Sequence, residues 1–341
     1  MAVLLPGGAG YIGSHTAVEL LNAGKEIVII DNFSNSKPEV LEAIKKITGK
    51  DFKFYEIDYM DKKRLEKVFE ENEIEAVINF AGYKAVGESV KKPLLYYRNN
   101  LVTMLNLLDL MPEYGVEALV FSSSCTVYGQ PDTLPVDESA PIKPALSPYG
   151  NTKQICEEII TDTIHSGAPF KSILLRYFNP IGAHPSAEIG ELPLGVPQNL
   201  LPYITQTAIG VRQQLSVFGD DYDTPDGSCI RDYINVVDLA KAHVKAIERM
   251  LGHKSEEDVE IFNLGTGQGV SVLELIHTFE EATGVKLNYR IAERREGDIT
   301  QVWADPQKAN TILGWKAETP LAETLKSAWK WQLHLREKGI M

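Results

Sequence analysis

Residues 2–13 read AVLLPGGAGYIG, and this stretch decides the fold of the chain. The apolar run Ala2–Leu5 leads into three glycines, Gly7, Gly10 and Gly13, in the spacing G-x-x-G-x-x-G, and a helix-like stretch follows. Glycine lets a strand turn tightly into a helix and brings the backbone close to a pyrophosphate, whose charge the helix amino terminus meets. The stretch therefore predicts a dinucleotide-binding strand-turn-helix unit.

The second apolar run, EIVIID, supports this interpretation because it ends in an acid. Asp31 lies about twenty residues beyond the glycines, where a carboxylate can accept hydrogen bonds from ribose hydroxyls. The same carboxylate would repel a 2′-phosphate, so we predict NAD rather than NADP as the cofactor. Pro6 is unexpected, since proline cannot donate to a sheet ladder. Either the first strand ends before Pro6 or the cofactor turn is altered.

Apolar runs alternate with longer amphipathic stretches through the first half of the chain. Continuous apolar strands separated by helices predict an α/β fold with a doubly wound parallel Rossmann sheet. Beyond Pro180, the Pro-rich and Gly-rich residues 181–203 and the acidic residues 218–233 are interpreted as ordered loops. A late apolar run ends at Gly267. We therefore predict a Rossmann domain of residues 1–180 plus roughly 232–267, and a smaller α/β substrate-binding domain of residues 181–231 and 268–341.

Composition limits the possible partners. The 341 residues are 44% hydrophobic and 24% charged, as in an ordinary globular protein. With 47 acidic and 34 basic residues the formal net charge is −13, which disfavours binding to nucleic acid or to acidic membranes. An anionic substrate would have to be held by a few locally placed arginines.

The cysteines and the amino terminus indicate a compartment. Cys125, Cys156 and Cys229 are scattered and odd in number, which fits neither a disulfide framework nor a metal site, so we expect no metal and a reducing cytoplasm. The first residues lack the basic region of a signal peptide, and no run of eighteen apolar residues follows anywhere. We therefore expect no membrane partner.

The heptapeptide SPYGNTK, Ser147–Lys153, carries the candidate catalytic pair. Ser147 can cap a helix that begins at Pro148, which places Tyr149 and Lys153 one turn apart on one face. Free tyrosine has a pKa of about 10, and lowering that value to about 7 requires about 4 kcal/mol. An ammonium group at ~4 Å supplies about that much at an effective dielectric constant near 20. The positive nicotinamide ring of NAD⁺ would add to the effect, so Tyr149 could remove a hydroxyl proton.

The third candidate is a serine in FSSSCTVYG, residues 121–129. These residues follow the apolar strand-like run ALVF, and the carboxyl ends of parallel strands are where such folds bind ligands. Ser124 could therefore hydrogen-bond the reacting oxygen. By itself it could equally cap a turn, just as a Tyr-x-x-x-Lys pattern could occur by chance on a surface. Cys125 is interpreted as a packing residue, since no histidine in the same stretch could activate it.

With these groups in place, the chain resembles the extended short-chain dehydrogenases/reductases and, among them, the UDP-glucose 4-epimerase family. The resemblance spans nearly the full length and rests on GGAGYIGSH, DN, FAGYKAVGES, FSSSCTVYG, SPYGNTK, LRYFNPIGAHP, IRDYINVVDLA and RREGD. It implies that Tyr149 is the base, that Lys153 tunes it and holds the nicotinamide ribose, and that Ser124 assists at the sugar O4.

The resemblance also implies the remaining ligand contacts. Besides Gly7, Gly10, Gly13 and Asp31, it assigns to NAD the residues Tyr11, Ile12, Asn32, Asp58, Tyr59, Phe80, Ala81, Gly82, Lys84, Asn99, Ser122, Tyr149, Lys153, Tyr177 and Phe178. It assigns to the UDP-sugar the residues Ser124, Tyr149, Asn179, Asn199, Leu200, Phe218, Arg231, Arg295, Asp298 and Val302. Arg231 and Arg295 would be the local positive charges for the diphosphate.

The implied reaction is the reversible interconversion of UDP-galactose and UDP-glucose. Tyr149 takes the O4 proton, C4 is oxidised by tightly bound NAD⁺, the 4-keto sugar swings about its diphosphate linkage, and C4 is reduced on the opposite face. Relatives are homodimers joined through two helices, so residues 94–111 and 149–164 would form the interface. The apolar residues of the first segment could equally be plain core.

Three positions depart from the family pattern: Leu5-Pro6 precede the glycines in place of Val-Thr, Asn79 replaces a frequent histidine, and Val302 stands where some relatives carry tyrosine. The smaller Val302 would leave room for an N-acetyl group, so UDP-N-acetylglucosamine is a possible second substrate. The alternatives are a related nucleotide-sugar dehydratase or decarboxylase and a non-enzymatic NAD sensor. Dehydratases carry acidic residues beside the strand serine, and Ser124-Cys125 offers none. A sensor would be expected to have lost Tyr149 or Lys153.

Overall fold

The centre of the molecule is a parallel β-sheet. The computed structural model describes residues 1–295 and 298–340. The strands of the main sheet are β1 (Ala2–Pro6), β2 (Glu26–Asp31), β3 (Lys53–Glu56), β4 (Ile74–Asn79), β5 (Ala118–Ser124), β6 (Lys171–Tyr177) and β11 (Val259–Leu264). Their spatial order is β3-β2-β1-β4-β5-β6-β11, and every neighbouring pair is parallel. The predicted doubly wound Rossmann sheet is confirmed, with its topological switch point between β1 and β4.

Helices cover both faces of this sheet. The described helices are α1 (Tyr11–Asn22), α2 (Glu39–Thr48), α3 (Lys62–Glu70), α4 (Val86–Lys91), α5 (Pro93–Glu113), α6 (Pro148–His165), α7 (Leu200–Ala208), α8 (Val236–Leu251), α9 (Val272–Thr283) and α10 (Leu321–Glu337). Helices α1 and α8 pack together on one face, and α5 and α6 pack together on the other. Alternate residues of β1 therefore enter different cores, Val3 and Leu5 on the α1 side and Leu4 on the α5 side.

Pro6 does not end the first strand. It is the last residue of β1 and lies in register with Ile30 of β2. The Phe80 N–H donates to the Pro6 carbonyl at 3.0 Å, and the Gly7 N–H donates to the Ile30 carbonyl at 2.8 Å. Proline lacks only its own donor, so the ladder continues on both sides of it. Of the two alternatives given above, the one in which the strand ends before Pro6 is therefore wrong.

The smaller part of the molecule contains short strands and the last helices. The strands are β7 (Asn179–Ile181), β8 (Leu215–Phe218), β9 (Ile230–Arg231), β10 (Tyr233–Asn235), β12 (Val270–Ser271), β13 (Tyr289–Ala292) and β14 (Gln301–Val302). Its core includes Ile204, Leu275, Phe279 and Leu325. The late apolar run returns to the main sheet as β11, beside β6. The division into two domains at the boundaries given above remains a prediction.

Two segments expected to be loops contain regular structure. Helix α7 begins at Leu200, within residues 181–203. Leu201 and Ile204 lie three positions apart and are both buried, so one face of this helix is packed against the core and stabilises it. Strands β9 and β10 begin within residues 218–233, where β9 pairs with β12 and β14. Short strands of two or three residues leave too little periodicity in a sequence to be detected.

In the described part of the chain, no helix combines the length and apolar character that a membrane span requires.

Candidate active site

The glycine turn forms a cradle for a phosphate group. Gly7 has a φ of +74°, and an added Cβ there would lie 2.8 Å from the Ala81 nitrogen. An added Cβ at Gly13 would lie 2.4 Å from the Gly7 carbonyl oxygen, so the helix and the turn touch through bare backbone. Gly10 caps α1 without a side-chain hydrogen bond. The first N–H groups of α1, at Tyr11, Ile12 and Gly13, have no intrahelical partner, so these residues fit the pyrophosphate of NAD.

Asp31 both faces the cofactor position and holds the glycine turn. Its carboxylate accepts hydrogen bonds from the Ala9 N–H at 3.1 Å, the Phe33 N–H at 2.9 Å and the Ser36 hydroxyl at 2.9 Å. Burial raises the pKa of Asp31, and these bonds act in the opposite direction. Asp31 is thus a carboxylate that is fixed in place before any ribose arrives.

The ends of β2, β3 and β4 position the next predicted cofactor residues. Asn32 donates to the Asp58 carboxylate at 3.3 Å, which links the ends of β2 and β3. The Asn79 amide oxygen accepts from the Tyr59 hydroxyl at 3.0 Å and from the Ala81 N–H at 3.2 Å, with Asn79 only 2% exposed. The asparagine that replaces a frequent histidine therefore supports the turn at Ala81.

Lys84 and Asn199 both contact Glu191, a residue that the sequence analysis did not single out. Glu191 accepts from the Asn199 amide at 2.5 Å, and its carboxylate lies 3.4 Å from the Lys84 Nζ. Lys84 also lies 5.6 Å from the centroid of the Tyr11 ring, and the Tyr11 hydroxyl donates to the Gly182 carbonyl at 2.7 Å. The predicted NAD residues and one predicted UDP-sugar residue thus share one cluster.

A second set of amides supports the turn at Gly82. Asn100 accepts from the Tyr83 N–H at 2.8 Å and from the Asn99 amide at 3.0 Å. An added Cβ at Gly82, whose φ is +154°, would lie 3.3 Å from the Asn100 side-chain oxygen. Asn99 is thereby held beside the segment that carries Phe80 and Lys84.

The three predicted catalytic residues, Ser124, Tyr149 and Lys153, lie close together in the fold. Ser124 ends β5, and Ser147 caps α6 by accepting from the Gly150 N–H at 3.1 Å. Tyr149 lies in the first turn of α6, and the Ser124 side chain is close enough to its hydroxyl to lower its pKa against the effect of burial. The Lys153 Nζ, one turn further on, lies 6.0 Å from the centroid of the Tyr149 ring. A serine, a phenol and an ammonium therefore lie at the carboxyl end of the central strands.

The pKa of Tyr149 is raised, whereas a nearby ammonium group by itself would lower it. Burial raises the pKa of Tyr149 to about 12, and the Ser124 side chain opposes this only in part. Burial lowers the pKa of Lys153 to about 8, and its Nζ donates to the Ser122 carbonyl at 2.6 Å. The protein alone therefore does not lower the pKa of Tyr149.

Two of the predicted substrate residues, Arg231 and Val302, lie on the short strands β9 and β14. Val302 lies in register beside Arg231 in this parallel pair. Burial raises the pKa of Cys125 to about 12, and the charge of Arg231 acts in the opposite direction. Burial also raises the pKa of Tyr233, which Arg231 lowers and Asp298 raises further. The charge of Arg231 is therefore felt at the catalytic turn and at Tyr233.

Arg295 and Phe218 form the outer end of the predicted substrate site. The Arg295 guanidinium contacts the Asp298 carboxylate at 2.6 Å and lies 5.6 Å from the centroid of the Phe218 ring. Phe218 is 41% exposed at the end of β8. An exposed aromatic ring beside a guanidinium suits a flat base joined to phosphate.

The other predicted substrate residues lie at element ends. The Asn179 N–H, at the start of β7, donates to the Asp232 carbonyl at 2.9 Å, and Leu200 begins α7. Phe178 and Val302 are each 4% exposed and share one apolar cluster with Val127 and Tyr128. The Phe178 side chain is therefore buried in this cluster, although the resemblance places the residue at NAD.

Asp232 supports the segment that carries Arg231, and the sequence analysis did not single it out. Its carboxylate accepts from the N–H and hydroxyl of Thr266, the Gly267 N–H and the Ala304 N–H, at 2.7–3.2 Å. It thereby ties the Arg231 segment to two distant loops. Its position next to Arg231 in IRDY was the available signal, but its partners lie far away in the sequence.

Comparison with known proteins identifies the family. The family model described as GDP-mannose 4,6 dehydratase matches residues 4–328. The chain is 54% identical over 332 residues to UDP-glucose 4-epimerase of Bacillus subtilis (strain 168), covering 97% of each chain.

Solved structures agree with this match. The fold is similar to UDP-glucose 4-epimerase from Bifidobacterium longum in complex with NAD⁺ and UDP, with a TM-score of 0.94, 48% identity and 98% of each chain covered. It is also similar to the UDP-Glc/GlcNAc 4-epimerase of Campylobacter jejuni, with a TM-score of 0.83, 36% identity, and 98% of this chain and 99% of that chain covered. From the glycine cradle, the Ser124-Tyr149-Lys153 group and these matches, we conclude that the chain belongs to the UDP-glucose 4-epimerase family of the extended short-chain dehydrogenases/reductases.

Proposed function

We propose that this protein is an NAD-dependent isomerase that interconverts UDP-galactose and UDP-glucose at C4 of the sugar. One observation carries the proposal: the glycine cradle and the Ser124-Tyr149-Lys153 group lie at the carboxyl ends of strands in the same parallel sheet. A cofactor bound along these strand ends would lie next to a hydroxyl that Tyr149 contacts. NAD⁺, when bound, supplies a two-electron acceptor that is regenerated within the same turnover.

The proton steps belong to Tyr149. Its phenolate form takes the O4 proton as C4 is oxidised and returns it as C4 is reduced, so no net proton is released. Ser124, whose side chain already acts on the pKa of Tyr149, is proposed to bond the same sugar oxygen. Lys153 supplies the positive charge that favours phenolate, and we assign it a second contact to the nicotinamide ribose.

The substrate residues hold the nucleotide more firmly than the sugar. Arg231 and Arg295 are proposed to bind the diphosphate, and Phe218 to contact the uracil ring. Asn179 at the start of β7, and Asn199 and Leu200 at the start of α7, are proposed to complete the substrate site. Firm anchoring of UDP with few sugar contacts lets the keto sugar rotate between the two half-reactions.

The direct test is incubation of the purified protein with UDP-galactose and no added cofactor. We expect UDP-glucose to appear until equilibrium is reached, because NAD is retained, and chromatography of the sugar nucleotides detects it. A folded protein that carries NAD and converts nothing would contradict the proposal and favour the sensor alternative.

The dehydratase alternative requires an acidic residue beside the reacting sugar. The groups that shift the pKa of Tyr149 are the apolar surroundings, Ser124 and Cys125, and none of these is a carboxylate. Asp232, the acid next to Arg231, is engaged with Thr266, Gly267 and Ala304. Elimination across C5 and C6 would require a free acid or base at this position, so epimerisation is favoured.

We further propose that UDP-N-acetylglucosamine is a second substrate, because Val302 is small and pairs in register with Arg231. Replacing Val302→Tyr is expected to lower turnover of UDP-N-acetylglucosamine about a hundredfold by filling the space of the N-acetyl group. Turnover of UDP-galactose is expected to change less than about threefold. Equal losses for both substrates, or native turnover that is confined to UDP-hexoses, would contradict dual specificity.

We propose a homodimer joined through α5 and α6. On α5, Leu94 is 73% exposed, and Leu95 and Leu105 are exposed as well. We expect sedimentation at twice the monomer mass, and we expect Leu105→Glu to shift the protein toward monomer because a buried charge is costly. Ile312→Glu, at an equally exposed leucine-sized residue elsewhere, is the control that should leave the mass unchanged. A native monomer would contradict this arrangement.

We place the protein in the cytoplasm. The support is chemical: Cys125, Cys156 and Cys229 are all unpaired thiols, as is usual in reducing compartments. Cell fractionation checks the placement, and recovery with secreted proteins would contradict it.

A further inference from the structure

A buried phenol-imidazole pair lies beneath the proposed cofactor site. The Tyr177 hydroxyl, at the end of β6, lies 2.6 Å from the Nε2 of His243 on α8. The Nδ1 of the same ring lies 2.9 Å from the Leu239 carbonyl oxygen. Tyr177 is 5% exposed and His243 is fully buried. His243 belongs to none of the motifs assigned to the cofactor or the substrate.

The chemistry of these groups fixes the direction of each hydrogen bond. A carbonyl oxygen only accepts, so the His243 Nδ1 carries the proton. Burial lowers the pKa of His243 to about 4, so the ring is neutral at physiological pH and its Nε2 is an acceptor. The Tyr177 hydroxyl must therefore donate to His243, and its oxygen can only accept on its other side.

The Tyr177 hydroxyl lies near a residue that contacts the predicted catalytic lysine. Burial raises the pKa of Tyr177, and the Ser122 side chain acts in the opposite direction, as a donor to the phenol oxygen does. The backbone carbonyl of Ser122 accepts from the Lys153 Nζ at 2.6 Å. The phenol-imidazole pair therefore lies next to the strand position that holds Lys153.

His243 also packs against a second predicted cofactor residue. Its ring centroid lies 4.9 Å from that of Phe80, which follows the end of β4. The Tyr177 ring lies 5.4 Å from the imidazole on a different side, close to perpendicular. One imidazole therefore sets the positions of Phe80 and Tyr177, which come from strands on opposite sides of β5.

We propose that His243 is a positioning residue for the reaction: by fixing the Tyr177 hydroxyl as a donor and packing against Phe80, it holds two predicted cofactor residues at the nicotinamide end of the cofactor site. The proposal rests on the proposed function through the roles given to Phe80 and Tyr177. Without the imidazole acceptor, the buried Tyr177 hydroxyl loses its hydrogen-bond partner, and Phe80 and Tyr177 lose the ring against which both pack.

The test compares His243→Phe, which keeps an aromatic ring without nitrogens, with His243→Gln, whose side-chain oxygen can again accept from Tyr177. We expect His243→Phe to lower kcat and to speed the release of bound NAD, each by about tenfold or more, because a buried hydroxyl loses its acceptor. We expect His243→Gln to recover both to within about threefold of the native values. The Kd of UDP, measured by calorimetry, should change less than about twofold in both variants, because UDP contacts other elements.

Two further measurements keep the proposal falsifiable. If His243→Phe does not fold, Tyr177→Phe removes the donor by deleting one oxygen and should show the same loss of kcat and of NAD retention. A folded His243→Phe or Tyr177→Phe with native NAD release and native kcat overturns the proposal, even if its melting temperature falls. NAD release is measured on the dinucleotide itself, so it tests His243 even if the native protein converts no UDP-galactose, which is the separate failure of the proposed function.

Discussion

Replacing Tyr149→Phe is expected to lower kcat for UDP-galactose by about 10³-fold or more. The change removes one oxygen and leaves the ring that packs beside Ser124 in the first turn of α6. Without that oxygen nothing accepts the O4 proton as C4 is oxidised, since Ser124 has no strong base of its own. The measurement is steady-state conversion of UDP-galactose, together with the NAD content and the UDP affinity of the purified variant.

The control is Tyr55→Phe, which removes a hydroxyl that bonds Glu71 on the surface of the same domain. This variant should keep kcat, NAD content and UDP affinity within about twofold of native values. Tyr149→Phe should likewise keep its NAD and bind UDP, because neither ligand depends on the proton at the phenol. A Tyr149→Phe protein with native kcat would remove Tyr149 from the mechanism, and one without NAD would make the loss of activity uninformative about proton transfer.

The pKa of Tyr149 explains why the cofactor matters to this residue. At a pKa of about 12 only about 10⁻⁵ of the phenol is ionised at pH 7, and reaching a pKa near 7 takes roughly 7 kcal/mol. This exceeds the roughly 4 kcal/mol that one ammonium at contact distance provides at an effective dielectric constant of 20. Lys153 therefore cannot activate Tyr149 alone, and the positive nicotinamide ring is needed as well.

The fold was predictable because it depends on local patterns. Apolar runs such as Val3–Leu5 and Leu119–Phe121 are continuous since both faces of a parallel sheet are covered, and the glycines after β1 mark a turn where backbone must approach backbone. The positions of Ser124, Tyr149 and Lys153 follow from a strand end and a capped helix, which the sequence also contains.

The residues that were not predicted share a different property, since their roles depend on contacts between distant segments. Glu191 meets Lys84 from 107 positions away, and His243 meets Tyr177 from 66 positions away. No spacing rule joins such residues before the chain is folded. The direction of the Tyr149 pKa was missed for a related reason: burial, which raises this pKa, is a property of the packed molecule and outweighs the opposing effect of Ser124.

Replacing Gly13→Ala is expected to weaken NAD binding by about thirtyfold to a hundredfold, with a matching loss of activity. The added Cβ would lie 2.4 Å from the Gly7 carbonyl oxygen and 2.8 Å from the Gly8 Cα. Both are backbone atoms, so the turn itself must move, and the N–H groups aimed at the pyrophosphate move with it. NAD content after gel filtration, and titration with added NAD, measure the effect.

A graded series separates this clash from any general cost of alanine. At Gly10 the added Cβ would lie 3.1 Å from the Gly7 carbonyl oxygen, and at Gly87 its nearest contact would be the Gln198 side-chain oxygen at 4.0 Å. We therefore expect NAD content to fall in the order Gly87→Ala, Gly10→Ala, Gly13→Ala, with Gly87→Ala close to native, while the Kd of UDP stays nearly constant in the folded variants. A Gly13→Ala protein that retains NAD as the Gly87→Ala protein does would show that this turn does not hold the cofactor, because a methyl group cannot fit between α1 and a turn that is bound to pyrophosphate.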